Sequence, residues 1–273
     1  MAKKETTPAA NLPATAGNTL PATAADLEAA MDSLSGQGLE NMGGEILIPR
    51  LTILQALSPQ MTKSKPEYNP DAKVGMICDT GTQELFTPPL LVVPVHFSTI
   101  WLEWAPRNSG KGLVGVHENS RAYDACEKDE RGRAVTPQGN LIVKSAQFFV
   151  LNLAANNRQS FIPMSSTQYK KAKQWNTWAT SERRINARDE EVQPPLYYRT
   201  YKLSSVSENN AQGNWEGWKI EKDKPITELP NGANILKAAI AFRKSLLAGE
   251  VKGDVESVRE DADSASHSEE GAM

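Results

Sequence analysis

Two cysteines, Cys78 and Cys126, and three histidines are all that 273 residues contain. Two thiols cannot build a disulfide framework, so the fold must rest on its own apolar core, and a reducing, cytoplasmic-type compartment is expected. Cys78, His96, His117 and Cys126 have the composition of a Cys2His2 zinc set, yet the closely spaced ligand pairs of structural zinc sites are missing. No metal and no cofactor are expected. Nor is there an apolar run near the ~20 residues that span a bilayer. The opening MAKKETTPAANLPATAG has no apolar stretch for a secretory signal and no arginine for a mitochondrial one, so no membrane partner is expected. Enzyme signatures are also lacking. RNSGKG at residues 107–112 holds Gly-Lys, but neither the upstream glycine nor the following Ser/Thr of a phosphate-binding loop. GxSxG and HExxH do not occur. Asp124, Glu127, Asp129 and Glu130 alternate with Lys128, Arg131 and Arg133, the pattern of a solvated loop rather than a two-metal centre. The chain is not expected to be an enzyme.

What is present divides the chain into three. Residues 1–44 are rich in Ala, Thr, Pro and Gly and read as a disordered arm, with a weak helical stretch over 24–34. Residues 45–249 hold the apolar periodicities of one domain. Residues 250–273 carry eight acidic residues against two basic ones, net −6, and no aromatic residue. Such a segment cannot bury enough surface to offset ordering and is expected to be a disordered acidic tail. Since the whole chain is −3, the other 249 residues carry about +3: a mildly basic body with an acidic appendage.

Within the body, LLVVPVHF at 90–97 reads as a strand whose Pro94 argues for an edge or a bulge. TIWLEW at 99–104 alternates in period two, with Ile100, Leu102 and Trp104 on one face and Trp101 and Glu103 on the other. LIVKSAQFFVLNL at 141–153 is the strongest apolar stretch and should be a central strand. Asn156-Asn157 turns it into a hairpin with 159–164. Residues 165–188 read as a helix, with Ser165 and Gln168 at capping-box spacing. Residues 197–206 and 214–221 read as hairpin partners joined by the loop 207–213. Residues 231–248 form an amphipathic helix that Gly249 can end. The class expected is α+β, mainly antiparallel, closing as an OB-like Greek-key barrel with a basic mid-domain helix and a C-terminal helix. A twisted sheet with a helix on one face is the alternative.

Cations and aromatic rings recur together. YKKAKQWNTWATSERRINAR at 169–188 holds Lys170, Lys171, Lys173, Arg183, Arg184 and Arg188 against one acid, Glu182, and on a helix Trp175 and Trp178 share a face. Cations can track phosphates and flat rings can stack unpaired bases, at ~1–3 kcal/mol per base. A second set is expected on the strands: Trp101, Arg107 and Lys111 on one hairpin, and Tyr197, Arg199, Tyr201 and Lys202 on another, with Trp215 on its partner. Period two places Tyr197, Arg199 and Tyr201 on one face. The competing reading is that the tryptophans are core anchors and the charges solvate an outer face.

The acidic tail, the basic aromatic body and the hairpin over 197–221 together resemble the single-stranded-DNA-binding proteins of tailed bacteriophages, broadly the T7 type. The resemblance rests on architecture. It implies an OB-fold body that coats single-stranded DNA without sequence choice, in replication or recombination, in the bacterial host cytoplasm. It also implies that Asp254, Glu256, Glu260, Asp261, Asp263, Glu269 and Glu270 form a tail that competes with DNA for the body and recruits replication proteins such as a polymerase or helicase. Tails of this type often end in an aromatic residue, whereas this one ends Gly271-Ala272-Met273. A homodimer is compatible with all of this. Rival readings are a phage recombination annealing protein and a virion or assembly protein without nucleic-acid affinity.

Overall fold

The computed structural model describes residues 23–34, 37–38, 47–106, 109–210 and 213–253. Two units are distinguished, 1–43 and 44–273. In the first, helix α1 (Ala24–Ser33) falls on the stretch read as helical. Its capping box is made by Thr23, whose Oγ1 accepts from the Asp26 N–H at 3.2 Å, while Asp26 Oδ2 accepts from the Thr23 N–H at 3.2 Å.

The second unit is α+β and mostly antiparallel. Its elements, in chain order, are β1 (Leu47–Ile48), β2 (Leu51–Ile53), β3 (Ile77–Asp79), β4 (Leu85–Phe86), β5 (Leu90–Trp104), β6 (Leu113–His117), α2 (Arg121–Asp124), β7 (Glu127–Lys128), β8 (Ala134–Val135), β9 (Leu141–Asn152) and β10 (Arg158–Ser165). There follow α3 (Tyr169–Ser181), β11 (Arg184–Ile185), β12 (Glu191–Val192), β13 (Arg199–Asn210), β14 (Gly213–Pro225), α4 (Gly232–Ala248) and β15 (Lys252–Gly253). The long strands β5 and β9 form the spine of a curled half-barrel sheet, in register from Val92↔Asn152 to Trp104↔Leu141. At one end of this spine the order is β14-β13-β5-β9-β10. At the other, called the wing below, it is β6-β5-β9-β8-β7. Pro94 sits in the central strand, where the register slips between Pro94 and His96. A proline has no N–H for the ladder, so it is tolerated here by the bulge, the second of the two options its position allowed.

Alternation along β9 builds two cores. Ala146, Phe148 and Val150 face the concave side, where they meet Leu203, Ile220, Ile162 and the underside of α3. Phe149 and Leu151 face the convex side, where Ile235, Ala239 and Phe242 of α4 cover them. Both faces being buried explains why this stretch reads as a continuous apolar run rather than an alternating one. Asn156 and Asn157 carry the hairpin turn with φ of 51° and 61°, a left-handed region asparagine tolerates. Gly249 ends α4 at φ 71°. The chain then returns: Val251 packs against the convex core and β15 pairs in parallel with β1. Residues 251–253, grouped with the tail by composition, thus belong to the body.

The seam between the outer strands β10 and β14 is spanned by the β2 segment. On one side Phe161 N–H donates to the Pro49 carbonyl at 3.0 Å, beside a parallel bridge from Arg50 to Phe161. On the other, the Gln55 side chain imitates a strand: its amide N–H donates to the Glu216 carbonyl at 3.0 Å and its oxygen accepts from the Glu216 N–H at 2.8 Å. Gln168 does the same one step along, accepting from the Trp218 N–H at 2.9 Å. Two glutamines therefore satisfy an edge that would otherwise invite pairing with another chain.

Three expectations are corrected. The mid-domain helix is shorter than 165–188. Ser165 is the last residue of β10, paired with Ser145, and makes no cap bond, while Gln168 is committed to β14; the helix proper starts at Tyr169. It stops at Ser181 because Glu182 turns extended to meet Arg199 and Lys222. Arg183, Arg184 and Arg188 consequently lie off the helix. Tyr197 is in a tight turn after Pro194-Pro195, and the register shifts between Arg199 and Tyr201, so Tyr197, Arg199 and Tyr201 do not share one strand face. The supposed loop 207–213 is mostly strand, paired as far as Asn210↔Gly213.

Candidate nucleic-acid interface

The helix tryptophan and the central strand tyrosine are sealed. Trp175 is 0% exposed and stacks on Phe148, ring centroids 4.1 Å apart. Tyr201 is 2% exposed, 5.2 Å from Trp175, and burial, then the nearby Glu182 charge, push its hydroxyl up to about 12. Neither can stack a base, which corrects their assignment as binding residues. The helix needs an apolar underside to close the concave core, which Ala172 and Trp175 supply, with Trp178 packed part-buried beside them. Tyr197 is half-buried against the convex core.

Three of the expected phosphate ligands, and Trp215 with them, are engaged internally. Lys171 Nζ lies 2.6 Å from Glu208, which also accepts from Gln168 Nε2 and from the Trp215 indole N–H, each at 2.9 Å. Burial opposes ionisation of Glu208, but these three donors outweigh it and hold its carboxyl below the usual range. Gly217 is required beside this hub, because a Cβ there would collide with the Glu208 carboxylate and the Gln168 amide. Arg199 meets Glu182 at 2.5 Å and donates to the Asp223 carbonyl at 2.5 Å, with Lys222 on the other Glu182 oxygen at 3.1 Å. Lys202 pairs with Asp223 at 3.1 Å. Glu182 and Asp223, like Glu208, have their ionisation opposed by burial; Arg199 and Lys222 hold Glu182 low, and the Thr200 hydroxyl, then Lys202, hold Asp223 low. Lys171, Trp215, Arg199 and Lys202 therefore clamp α3 and β14 onto β13 before they could serve any ligand.

What remains open is a ridge. Helix α3 contains no acid; Lys170 and Lys173 are exposed on its outer side, with Lys173 Nζ 5.3 Å from the Tyr169 ring centroid. Arg183 is exposed and caps the helix, donating to the Thr180 and Glu182 carbonyls at 2.8 Å each. Arg184 is exposed at the base of the β11–β12 hairpin and Arg188 at its tip. None of Lys170, Lys173, Arg184 and Arg188 has an ion pair among the described residues.

A second cationic and aromatic set lies on the wing, and only Trp101 of it was expected. Trp101 and Lys144 are cross-strand partners on the same face of the sheet as Ala146 and Phe148. Lys144 Nζ is 5.8 Å from the Trp101 ring centroid and 5.0 Å from that of Tyr123 in α2; Lys128 Nζ is 3.9 Å from the Tyr123 centroid. The legible signal was Lys144, the one charge inside the apolar run 141–153; Tyr123 and Lys128, in an irregular charged loop, gave none. Beside them Glu103 accepts from Asn140 at 2.7 Å and meets His117 at 2.8 Å. The Asn140 bond, against burial and together with His117, keeps its carboxyl low. Lys111 is exposed in the loop entering β6, whereas Arg107 and the tail acids Asp254, Glu256, Glu260, Asp261, Asp263, Glu269 and Glu270 lie outside the described residues. GKGLVG at residues 110–115 has the glycine spacing of a dinucleotide-binding turn, but it leads into strand β6, not a helix, and so lacks the helix N-terminus that such a turn offers to phosphate.

The four candidate zinc ligands go separate ways. Cys78 is buried with Leu54 and Ala72, His96 packs 5.9 Å from the Phe149 ring, His117 meets Glu103, and Cys126 Sγ donates to the Ala122 carbonyl at 3.2 Å. Among the described residues no helix is long and apolar enough to cross a membrane.

A family model described as Pam3 phage gp34-like protein matches residues 16–252, most of the chain. The chain belongs to this family of phage proteins. No curated protein and no solved structure matches.

Proposed function

We propose that this Pam3 phage gp34-like protein coats single-stranded DNA in phage replication or recombination, stoichiometrically and without catalysis, on an OB-type half-barrel. One observation carries the reading: Lys170, Lys173, Arg183 and Arg184 are solvent-facing and have no ion pair among the described residues, while Glu182 and Glu208 are consumed by internal partners; Asp189, Glu190 and Glu191 of the β11–β12 hairpin are the exposed acids beside the arginines. Solvent-facing cations on one ridge are what a phosphate chain needs, and a single strand supplies phosphates without requiring a groove to fit. The spanning of the β10–β14 seam by β2 supports the OB-type closure. The acidic residues 254–273 offer the ridge an alternative anion and would be displaced by DNA.

The test is fluorescence anisotropy of a labelled oligo-dT strand at several salt concentrations, which reads binding whichever tryptophans are buried. Four phosphate contacts predict a slope of log K against log salt of about −3, at roughly 0.7 per contact. Replacing the four cations by Gln should abolish most of that slope, and truncation after Gly253 should tighten binding at low salt. The burial of Trp175 and Tyr201 favours a second reading, an assembly protein with no nucleic-acid affinity, because it removes the stacking surface the helix was expected to offer. Absence of binding at low salt would decide for it.

A further inference from the structure

We infer that the concave face of the wing, where Lys144 lies between the rings of Trp101 and Tyr123, is a base-stacking subsite for single-stranded nucleic acid. The inference deepens the single-strand-binding reading and rests on it. Three features separate this cluster from a structural one. First, its rings are half-exposed, whereas Trp175 and Tyr201 are sealed. Second, the Trp101 indole nitrogen is buried with no hydrogen-bond partner among the described residues, as that of Trp175 is, but the Trp101 ring is part-exposed rather than sealed, so its carbon edge is what solvent meets. Third, ammonium groups lie over the rings, Lys144 near both and Lys128 over Tyr123.

The magnitudes favour exchange. An exposed cation–ring contact is weak beside a base stacked on a ring. A lysine that leaves the ring for a phosphate gives up little, and the base that replaces it gains more. The wing also lies on the same sheet face as Phe148, over which α3 and its ridge sit. Lys144 and Phe148 are four residues apart on one strand, roughly 13 Å at ~3.3 Å per residue. A strand held by the ridge has to pass from the outer side of α3 down to the sheet to reach Trp101 and Tyr123. Glu103 lies on this face, and Asn140 and His117 already engage it.

The full chain is titrated with oligo-dT and with an abasic strand of the same length. The wild type should prefer oligo-dT. Tyr123→Ala should lose about tenfold in affinity for oligo-dT, within the range of one stacked base, and should bind both strands alike. Tyr123→Phe should behave as wild type, and Lys144→Gln should flatten the salt slope by about 0.7. If the wild type binds oligo-dT but shows no preference over the abasic strand, or if Tyr123→Ala keeps that preference, the subsite is overturned and the ridge reading stands. If the wild type binds neither strand, both fall. Circular dichroism of each variant separates a lost ring from a lost fold, and a folded Tyr123→Phe without base preference also overturns the subsite.

Discussion

β5 and β9 are each one strand living in two environments. Residues 92–97 pair with 148–152 between two buried layers, with α3 and Trp175 on one side and α4 and Phe242 on the other. Residues 99–104 pair with 141–146, largely in the wing, where no long helix covers the sheet and most side chains are only partly buried. The backbone ladder is continuous across the change. What differs is the demand on side chains. Two covered faces require apolar groups at every position, as in LLVVPVHF; an open pair of faces permits alternation and charge, as in TIWLEW and Lys144. One half is built for stability, the other is available for contact.

The largest expected effect tests that division with two tryptophans. Trp175→Ala removes a ring stacked on Phe148 at zero exposure and should cost about 3–5 kcal/mol, as buried aromatic truncations do. Trp101→Ala should cost about 1 kcal/mol or less, because its ring is half-exposed. Urea unfolding midpoints of the two variants measure the difference. Equal losses would mean that the wing is a second core and that the division is false.

The two halves were also unequally legible. The central strand 141–153, the Asn156-Asn157 turn and the C-terminal helix with Gly249 follow directly from periodicity and turn chemistry, since each depends on residues close in sequence. The fate of the aromatic and basic residues does not. Whether Trp175 faces the core or solvent is decided by Phe148 and Tyr201, and whether Arg199 meets a phosphate is decided by Glu182 and the Asp223 carbonyl, all far along the chain. The helix boundaries failed for the same reason: Gln168 and Glu182 have long-range partners that outweigh local propensity. Of the candidate site, the ridge cations and Trp101 were readable, while Tyr123 and Lys128 become visible only when β9 brings Lys144 between the rings of Trp101 and Tyr123.

Two strand glycines sharpen the comparison at intermediate size. Gly217 faces the Glu208 hub at the covered end; Gly115 lies in β6, where a Cβ would meet Glu103 and His117 only at 3.7 Å, an ordinary contact. Gly217→Ala should push Glu208 off Lys171, Gln168 and Trp215, leaving a charge short of partners, and cost about 1–3 kcal/mol. Gly115→Ala should be neutral or stabilise by up to about 1 kcal/mol, by restricting the unfolded chain at a site with room for a methyl group. Thermal melts of both variants decide it, and a destabilised Gly115→Ala would show the wing to be more tightly fitted than its exposure implies.

The smallest effect separates the halves by what holds their carboxylates. Glu182 and Glu208 at the covered end, and Glu103 on the wing, all titrate below the usual range. A carboxyl whose folded pKa is depressed contributes stability above its unfolded pKa, near 4.3, and loses it as pH falls through the folded value. All three should therefore weaken the fold below about pH 4. Their causes differ, however. At the covered end burial opposes ionisation, and the charges of Arg199, Lys222 and Lys171 help overcome it. On the wing the largest cause is the hydrogen bond from the neutral Asn140. Salt screens charge pairs and leaves a neutral hydrogen bond largely alone, the Debye length falling to about 3 Å at 1 M. Carboxyl-detected NMR titration in low and high salt should thus move Glu182 and Glu208 back toward the ordinary value more than Glu103. Asn140→Ala should release Glu103 alone, at either salt concentration. A salt response shared equally by all three would mean that His117, not Asn140, governs the wing carboxylate, and that the wing is as electrostatically organised as the clamp around α3.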